Sequence, residues 1–252
     1  MNRIPGWNQP SSSSPVVASI DTVALGRLQR DSGVQFFRPQ HYEANYAYPL
    51  VVWLHGEGGS EQNLAQVMPL TSLRNYLGVA VRGNCRWDSG YTWSETVDAV
   101  DSAAEKVLDA VDLAAARFNV HPQRIFLVGH RAGGTLAVRL ALRLPEAFAG
   151  AVSISGRFPR GQMPLRNLHS IRRLPILLTH GRTSRRYSID HVCRELSLFH
   201  AAGMQVDLRQ YPCGDELTTK MLSDVNAWLM SRVTGQPVAC DDGERTCEEE
   251  WN

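Results

Sequence analysis

No stretch of this 252-residue sequence approaches the roughly 18 to 20 uninterrupted apolar residues that a helix needs to cross a bilayer. A membrane contact is therefore not expected. The opening residues, 1–15, lack the basic-then-apolar order of an export signal and are polar and rich in Ser and Pro, so the expected location is cytoplasmic. An excess of one charge is missing as well. The formal net charge of +1 provides no sequence-wide basis for binding nucleic acid or an anionic surface. Cysteine is sparse: Cys85, Cys193, Cys213, Cys240 and Cys247 are scattered and odd in number, as expected of idle thiols in a reducing compartment. A bridge between Cys240 and Cys247 would need an oxidant and is not expected. Metal-ligand spacings such as HExxH or paired CxxC do not occur, and the Gly-rich loops match neither GxxxxGK[ST] nor GxGxxG after the first strand. No metal or cofactor is implied.

What is present is the material of one medium-sized domain, with 43% hydrophobic and 20% charged residues, enough to bury a substantial core. Residues 1–15 read as a disordered tail and 16–233 as the domain. Residues 234–252 read as an acidic, disordered tail, in which Asp241, Asp242, Glu244, Glu248, Glu249 and Glu250 oppose only Arg245.

Between the tails, short β-branched runs alternate with helical patterns, the signature of βαβ units and a mainly parallel sheet flanked by helices. Residues 50–54, 78–81, 125–128, 151–155, 176–179 and 206–211 are mostly apolar and of strand length, which implies burial on both faces. Residues 16–23 and 34–37 are expected to form an antiparallel edge. The segment 97–118 sets Val97, Val100, Ala104, Val107, Leu108, Val111, Ala115 and Phe118 on one helical stripe. Further helices are expected over 135–144, stopped by Pro145, over 190–202, stopped by Gly203, and over 216–230.

After the run 125–128 comes Gly129-His130-Arg131-Ala132-Gly133-Gly134, and a helical pattern follows at once. A strand that turns sharply into a helix through small residues is the context of a nucleophile elbow, whose middle residue is held at the top of the sheet. The text FLVGHRAGGTLAVRLALRLPEAFAGAVSISG, residues 126–156, resembles α/β-hydrolases of the phospholipase/carboxylesterase, or predicted-esterase, type. The resemblance covers roughly residues 34–230 and implies a single-domain α/β-hydrolase fold. That family has Ser where this chain has Arg131. Upstream, PLVVWLHGEGGS, residues 49–60, resembles the family's HGxGG loop. The resemblance makes the backbone N–H groups of Glu57 and Ala132 the oxyanion-hole equivalents. It also implies that His55, Trp87 and Trp93 line the cleft.

The other two catalytic positions of the family differ too. Its acid follows a strand ending in His-Gly, and Leu177-Leu178-Thr179-His180-Gly181-Arg182-Thr183-Ser184 puts Ser184 there. Its base comes in a YPxGH turn, and Tyr211-Pro212-Cys213-Gly214-Asp215 puts Asp215 there. A guanidinium is permanently protonated, so Arg131 is neither nucleophile nor base. Loss of the nucleophile alone costs about 10⁶ in turnover in a serine protease, leaving about 10³ to 10⁴ over water. His130, His55, His180, His191 and His200 read as structural histidines, and Cys213 lacks the setting that activates a thiol.

The expectation is a catalytically inactive hydrolase homologue that acts in binding, regulation or interaction. The alternative is a carboxylesterase-like or phospholipase-like enzyme that uses an unrecognised constellation, because fold does not decide activity. Two readings of the altered pocket compete. Arg131 and Asp215 pair as ions within it, or Arg131 and the neighbouring helix N-terminus hold a small anion. A protein partner for the acidic tail and the aromatic loop 86–93 is the third reading.

Overall fold

The side chains of residues 48–54 are apolar or aromatic at every position, and strand β2 (Tyr48–Leu54) is buried along its whole length. Leu50, Val52 and Leu54 enter one apolar layer, while Val51 and Trp53 enter the layer on the opposite face. That is the period-two geometry of a strand covered on both sides. The computed structural model describes residues 33–159 and 168–236. The expected strand at 16–23, the N-terminal tail and most of the acidic tail lie outside them.

Around β2 the sheet has seven strands in the order β1-β3-β2-β6-β7-β8-β9. They are β1 (Val34–Phe37), β3 (Leu77–Val81), β6 (Val120–His130), β7 (Gly150–Ile154), β8 (Ile176–Gly181) and β9 (Val206–Tyr211) with β2. All neighbours run parallel except β1, which pairs antiparallel with β3. Two short strands, β4 (Cys85–Trp87) and β5 (Gly90–Thr92), make a separate hairpin. Its turn carries Asp88 at φ 50°, a left-handed conformation that Asp tolerates better than most residues.

The helices are α1 (Leu64–Thr71), α2 (Val97–Arg117), α3 (Ala132–Arg143), the single turn α4 (Leu168–Ile171), α5 (Ile189–Ala201) and α6 (Thr219–Thr234). Helices α2 and α3 pack with the Leu50–Val52–Leu54 face, and α1 and α6 cover the other. Helix α5 joins α3 over β8 and β9 through Leu196, Phe199, Val138 and Leu142.

Several boundaries depart from the sequence expectation for identifiable reasons. Strand β6 begins at Val120, five residues earlier, with Tyr48 opposite Val120 and then Leu50 opposite Ile125. Pro122, which cannot donate to a ladder, sits in that irregularity. On α2 the buried stripe is Val100, Ala103, Ala104, Val107, Ala110, Val111 and Ala114, whereas Val97 and Leu108 are exposed. The helix therefore meets the sheet through its alanines, which let it approach closely. Helix α6 starts at Thr219, whose preceding Thr218 hydroxyl caps the Met221 amide, and it ends at Gly235 in the left-handed conformation, φ 72°.

Candidate functional site

Strand β6 delivers its last residues to the sheet's carboxyl edge, and the chain reverses there into α3. Arg131 occupies the apex at φ 49°, ψ −117°, a region that costs a non-glycine residue about 1–3 kcal/mol and persists only where surroundings impose it. The Arg131 N–H donates to the Ile154 carbonyl at 2.8 Å, and the Arg131 carbonyl accepts from the Thr135 N–H at 2.9 Å. The glycines make the turn feasible: a Cβ on Gly129 would strike the Gly133 carbonyl, and one on Gly133 would strike the carbonyl of Leu54 in β2. A Cβ on Gly134 would meet the Ser153 hydroxyl at 2.7 Å. This is a strand-turn-helix elbow with a strained central residue.

The chain belongs to the Esterase family. The matching family model, described as "Putative esterase", covers residues 26–188. The chain is 29% identical over 139 residues to "Putative esterase NocK" of Nocardia uniformis subsp. tsuyamanensis, a match covering 53% of this chain and 39% of that protein. It is 25% identical over 122 residues to carboxylesterase SOBER1 of Arabidopsis thaliana, covering 48% of this chain and 54% of that one. The matches thus span about half or less of these relatives' lengths. Among solved structures, the Bacillus cereus carboxylesterase superposes with a TM-score of 0.65 at 19% identity, over 82% of this chain and 98% of that one. The fold is that of the α/β-hydrolases.

In this esterase-family chain Arg131, Ser184 and Asp215 come together. Gly181, at the end of β8, packs so tightly on the Gly214 carbonyl that the turns after β8 and β9 touch, and the Thr183 N–H donates to the Cys213 carbonyl at 3.0 Å. Ser184 and Asp215 therefore face each other. The Ser184 hydroxyl donates to Asp215 Oδ1 at 2.6 Å and accepts the Tyr187 N–H at 3.2 Å. Arg131 Nε donates to the backbone carbonyl of Asp215 at 3.1 Å.

The expected Arg131–Asp215 ion pair is accordingly corrected. Among the described residues no carboxylate lies within ion-pair distance of Arg131. The carboxylate of Asp215 is held by the small Ser184 hydroxyl, which leaves its main chain to meet the guanidinium.

His130 adds a second contact to the same carbonyl. Its Nε2 lies 3.3 Å from Asp215 O, and a carbonyl only accepts, so Nε2 carries the proton. The ring is fully enclosed beside Arg131, and burial first, then the Arg131 charge, lowers its pKa to about 3. It is neutral near pH 7 and acts as a spacer between the elbow and the β9 turn.

His55 and Trp93, expected at the cleft, are buried. Gly83 N–H donates to His55 Nε2 at 2.9 Å, which leaves Nδ1 to donate to the Gly56 carbonyl at 2.8 Å. Burial lowers this imidazole's pKa. Trp93 Nε1 donates to the His55 carbonyl at 2.8 Å. Both residues fix the loop after β2 from beneath. Trp87 is exposed on β4, with its ring edge facing Gly58. The hairpin holds this loop from outside, because Gly58 N–H donates to the Tyr91 carbonyl and Tyr91 N–H to that of Gly59, each at 2.9 Å.

The loop so fixed presents Glu57. Neither its amide nor that of Ala132 donates to a protein acceptor among the described residues. The Glu57 carboxylate binds Arg186 Nη1 at 3.1 Å, and Arg157 Nη2 donates to the Arg186 carbonyl at 3.3 Å. These arginine contacts, and the Tyr187 amide on Ser184, are features that motif reading missed. The run Arg185-Arg186-Tyr187 beside Ser184 is their only signal in the sequence. Elsewhere His191 meets the Ser188 hydroxyl at 2.8 Å and His200 Nε2 donates to the Val206 carbonyl at 3.0 Å; both lie on or beside α5, away from the elbow. Among the described residues no helix is long and apolar enough to cross a membrane, and no three His, Cys, Asp or Glu side chains gather as metal ligands.

Proposed function

We propose that this member of the esterase family is catalytically silent and that its altered elbow pocket binds a small anion, a carboxylate or a phosphate ester. The observation that carries the reading is the partner of Arg131. Its Nε rests on the carbonyl of Asp215, while the neighbouring carboxylate is occupied by Ser184. The positive charge at the apex is thus positioned by the main chain and not cancelled by a direct ion pair. Beside it stand the Ala132 amide, at the N-terminus of a 12-residue helix, and the Glu57 amide, donors suited to an anionic oxygen.

Silence follows from the same atoms. A guanidinium at the apex offers no nucleophile. The Thr135 hydroxyl donates to the Arg131 and Arg157 carbonyls, and the Ser184 hydroxyl, at the position that the resemblance gives to the family's acid, has a carboxylate for its partner. Hydrolysis through Ser184 is the second reading, and the 2.6 Å bond to Asp215 is what favours it.

Calorimetric titration of wild type and Arg131→Ala with acetate, citrate and phenyl phosphate tests the binding. Arg131→Ala should weaken it at least roughly tenfold, the value of a charge-assisted hydrogen bond. Wild type that binds none of the three would contradict the anion reading. Aryl-ester turnover that disappears in Ser184→Ala would instead establish the second.

A further inference from the structure

Arginines gather beside the elbow, where the chain leaves β7 and β8. Arg157 follows β7, Arg182, Arg185 and Arg186 follow β8, and all four are exposed. Short contacts tie two of them to the apex. The Thr135 N–H donates to the Arg131 carbonyl at 2.9 Å, the Thr135 hydroxyl donates to the Arg157 carbonyl at 2.8 Å, and Arg157 Nη2 donates to the Arg186 carbonyl at 3.3 Å. Burial and the Arg131 charge lower the His130 pKa most, and Arg186 lowers it further, so both guanidinium groups act on one enclosed ring. Among the described residues, Arg131, Arg157, Arg182 and Arg185 have no carboxylate within ion-pair distance. Like charges gathered in this way repel, and a bound anion removes that cost.

The carboxylates nearby show on which side such an anion fits. Asp215 Oδ1 is taken by the Ser184 hydroxyl at 2.6 Å, and Glu216 Oε2 accepts the Gly214 N–H at 3.1 Å. These two negative charges make the β9 turn the poorer place for a second anion. On the opposite flank stands Glu57. Its Oε1 meets Arg186 Nη1 at 3.1 Å, while its Oε2 is enclosed and has no hydrogen-bond partner among the described residues. The contact is single-point, not the two-pronged fork that a guanidinium and a carboxylate make at their best, and the Arg186 side chain is 52% exposed. Glu57 is thus an internal anion, weakly held at a place that a ligand's anionic group can take. A guanidinium carries five N–H donors, and Arg157 and Arg186 retain donors for that group.

We propose that the pocket takes anions with two charged groups, a short dicarboxylate or a diphosphate. One group lies at Arg131 and the N-terminus of α3, and the second lies between Arg157 and Arg186 in place of the Glu57 carboxylate. This inference rests on the anion reading of the elbow and adds to it the class of ligand. An anion with a single charged group leaves Glu57 on Arg186 and gains nothing from the second position.

Calorimetric titration of the full chain with acetate against succinate, and with phosphate against pyrophosphate, tests the assignment. In at least one pair the larger anion should bind about tenfold or more tightly than the smaller, the value of an added charge-assisted hydrogen bond. The pair that shows the gain distinguishes a dicarboxylate from a diphosphate. The double variant Arg157→Ala, Arg186→Ala should bring that ratio close to one, and Glu57→Gln, which removes the internal competitor, should raise the affinity for the larger anion. Equal affinities within both pairs, a ratio unchanged in the double variant, or weaker binding of the larger anion by Glu57→Gln would overturn the assignment. Should the double variant fail to fold, Glu57→Gln decides, since it alters no volume. If the smaller anions bind and the larger gain nothing, this inference alone fails. If none of the four binds, the anion reading of the elbow fails with it.

Discussion

Ser184 and Asp215, which the family resemblance puts at the acid and base positions, are joined by a hydroxyl-to-carboxylate hydrogen bond of 2.6 Å. The bond holds the turns after β8 and β9 together, beside the Thr183 N–H to Cys213 carbonyl bond. Ser184→Ala would leave a partly enclosed carboxylate without its nearest donor. A hydrogen bond to a charged group contributes about 1.5–3 kcal/mol, so chemical denaturation should show a loss of that order, with the slope unchanged.

Restoring the nucleophile alone should not restore chemistry. Arg131→Ser places a hydroxyl at the apex, but Asp215 cannot substitute for an imidazole on the far side of the turn. The single variant is expected to stay near the background of about 10³ to 10⁴ over water that binding and amide donors provide. The triple change Arg131→Ser, Ser184→Asp, Asp215→His should exceed the single variant by at least tenfold in aryl-ester turnover. Equal activity of the two would mean that the scaffold no longer holds triad geometry.

The elbow depends on close approach of main chains, and Gly133 is its tightest point. A methyl group there would enter the space of the Leu54 carbonyl, which is fixed within the central strand β2. Overpacking of this type costs about 1–3 kcal/mol where side chains can yield and more where main chain must move. Gly133→Ala is therefore expected to lower the unfolding midpoint by more than Ser184→Ala. A midpoint like that of wild type would show that α3 shifts freely.

Stability should fall in mild acid through the enclosed histidines. His130 has its pKa lowered from 6.5 to about 3, and those of His55 and His180 are also lowered. Above pH 6.5 these rings are neutral in folded and unfolded chains and contribute no pH dependence. As pH falls below 6.5 the unfolded chain takes up protons that the fold excludes, so stability drops by up to roughly 1.4 kcal/mol per pH unit per histidine. For His130 the loss levels off below about pH 3, once the folded form is protonated as well. Denaturation midpoints measured from pH 7 to pH 4 should show this decline, and His130→Gln should make it shallower. An unchanged slope in that variant would contradict an enclosed neutral ring.

The sheet and the elbow are legible in the sequence because apolar runs such as 50–54 and 176–179 and the Gly129–Gly133–Gly134 spacing report constraints that act locally. The hairpin β4–β5 is not, since its three-residue strands include the exposed Cys85, Arg86 and Trp87 and carry no apolar period. The burial of His55 and Trp93 is not legible for a related reason: a motif indicates that a loop borders a cleft, but not which side chains turn beneath it. The pairing of Arg131 fails as an inference from charge. Opposite signs place the two residues together, whereas a small hydroxyl at Ser184 determines which atoms of Asp215 remain for the guanidinium.

The most direct test of a silent elbow is intact-mass analysis of the purified chain after incubation with a fluorophosphonate, which phosphonylates activated serines with loss of fluoride. Wild type is expected to keep its unmodified mass, whatever the reagent concentration below nonspecific labelling. A stoichiometric adduct on Ser184, or on any other residue of the pocket, would contradict it.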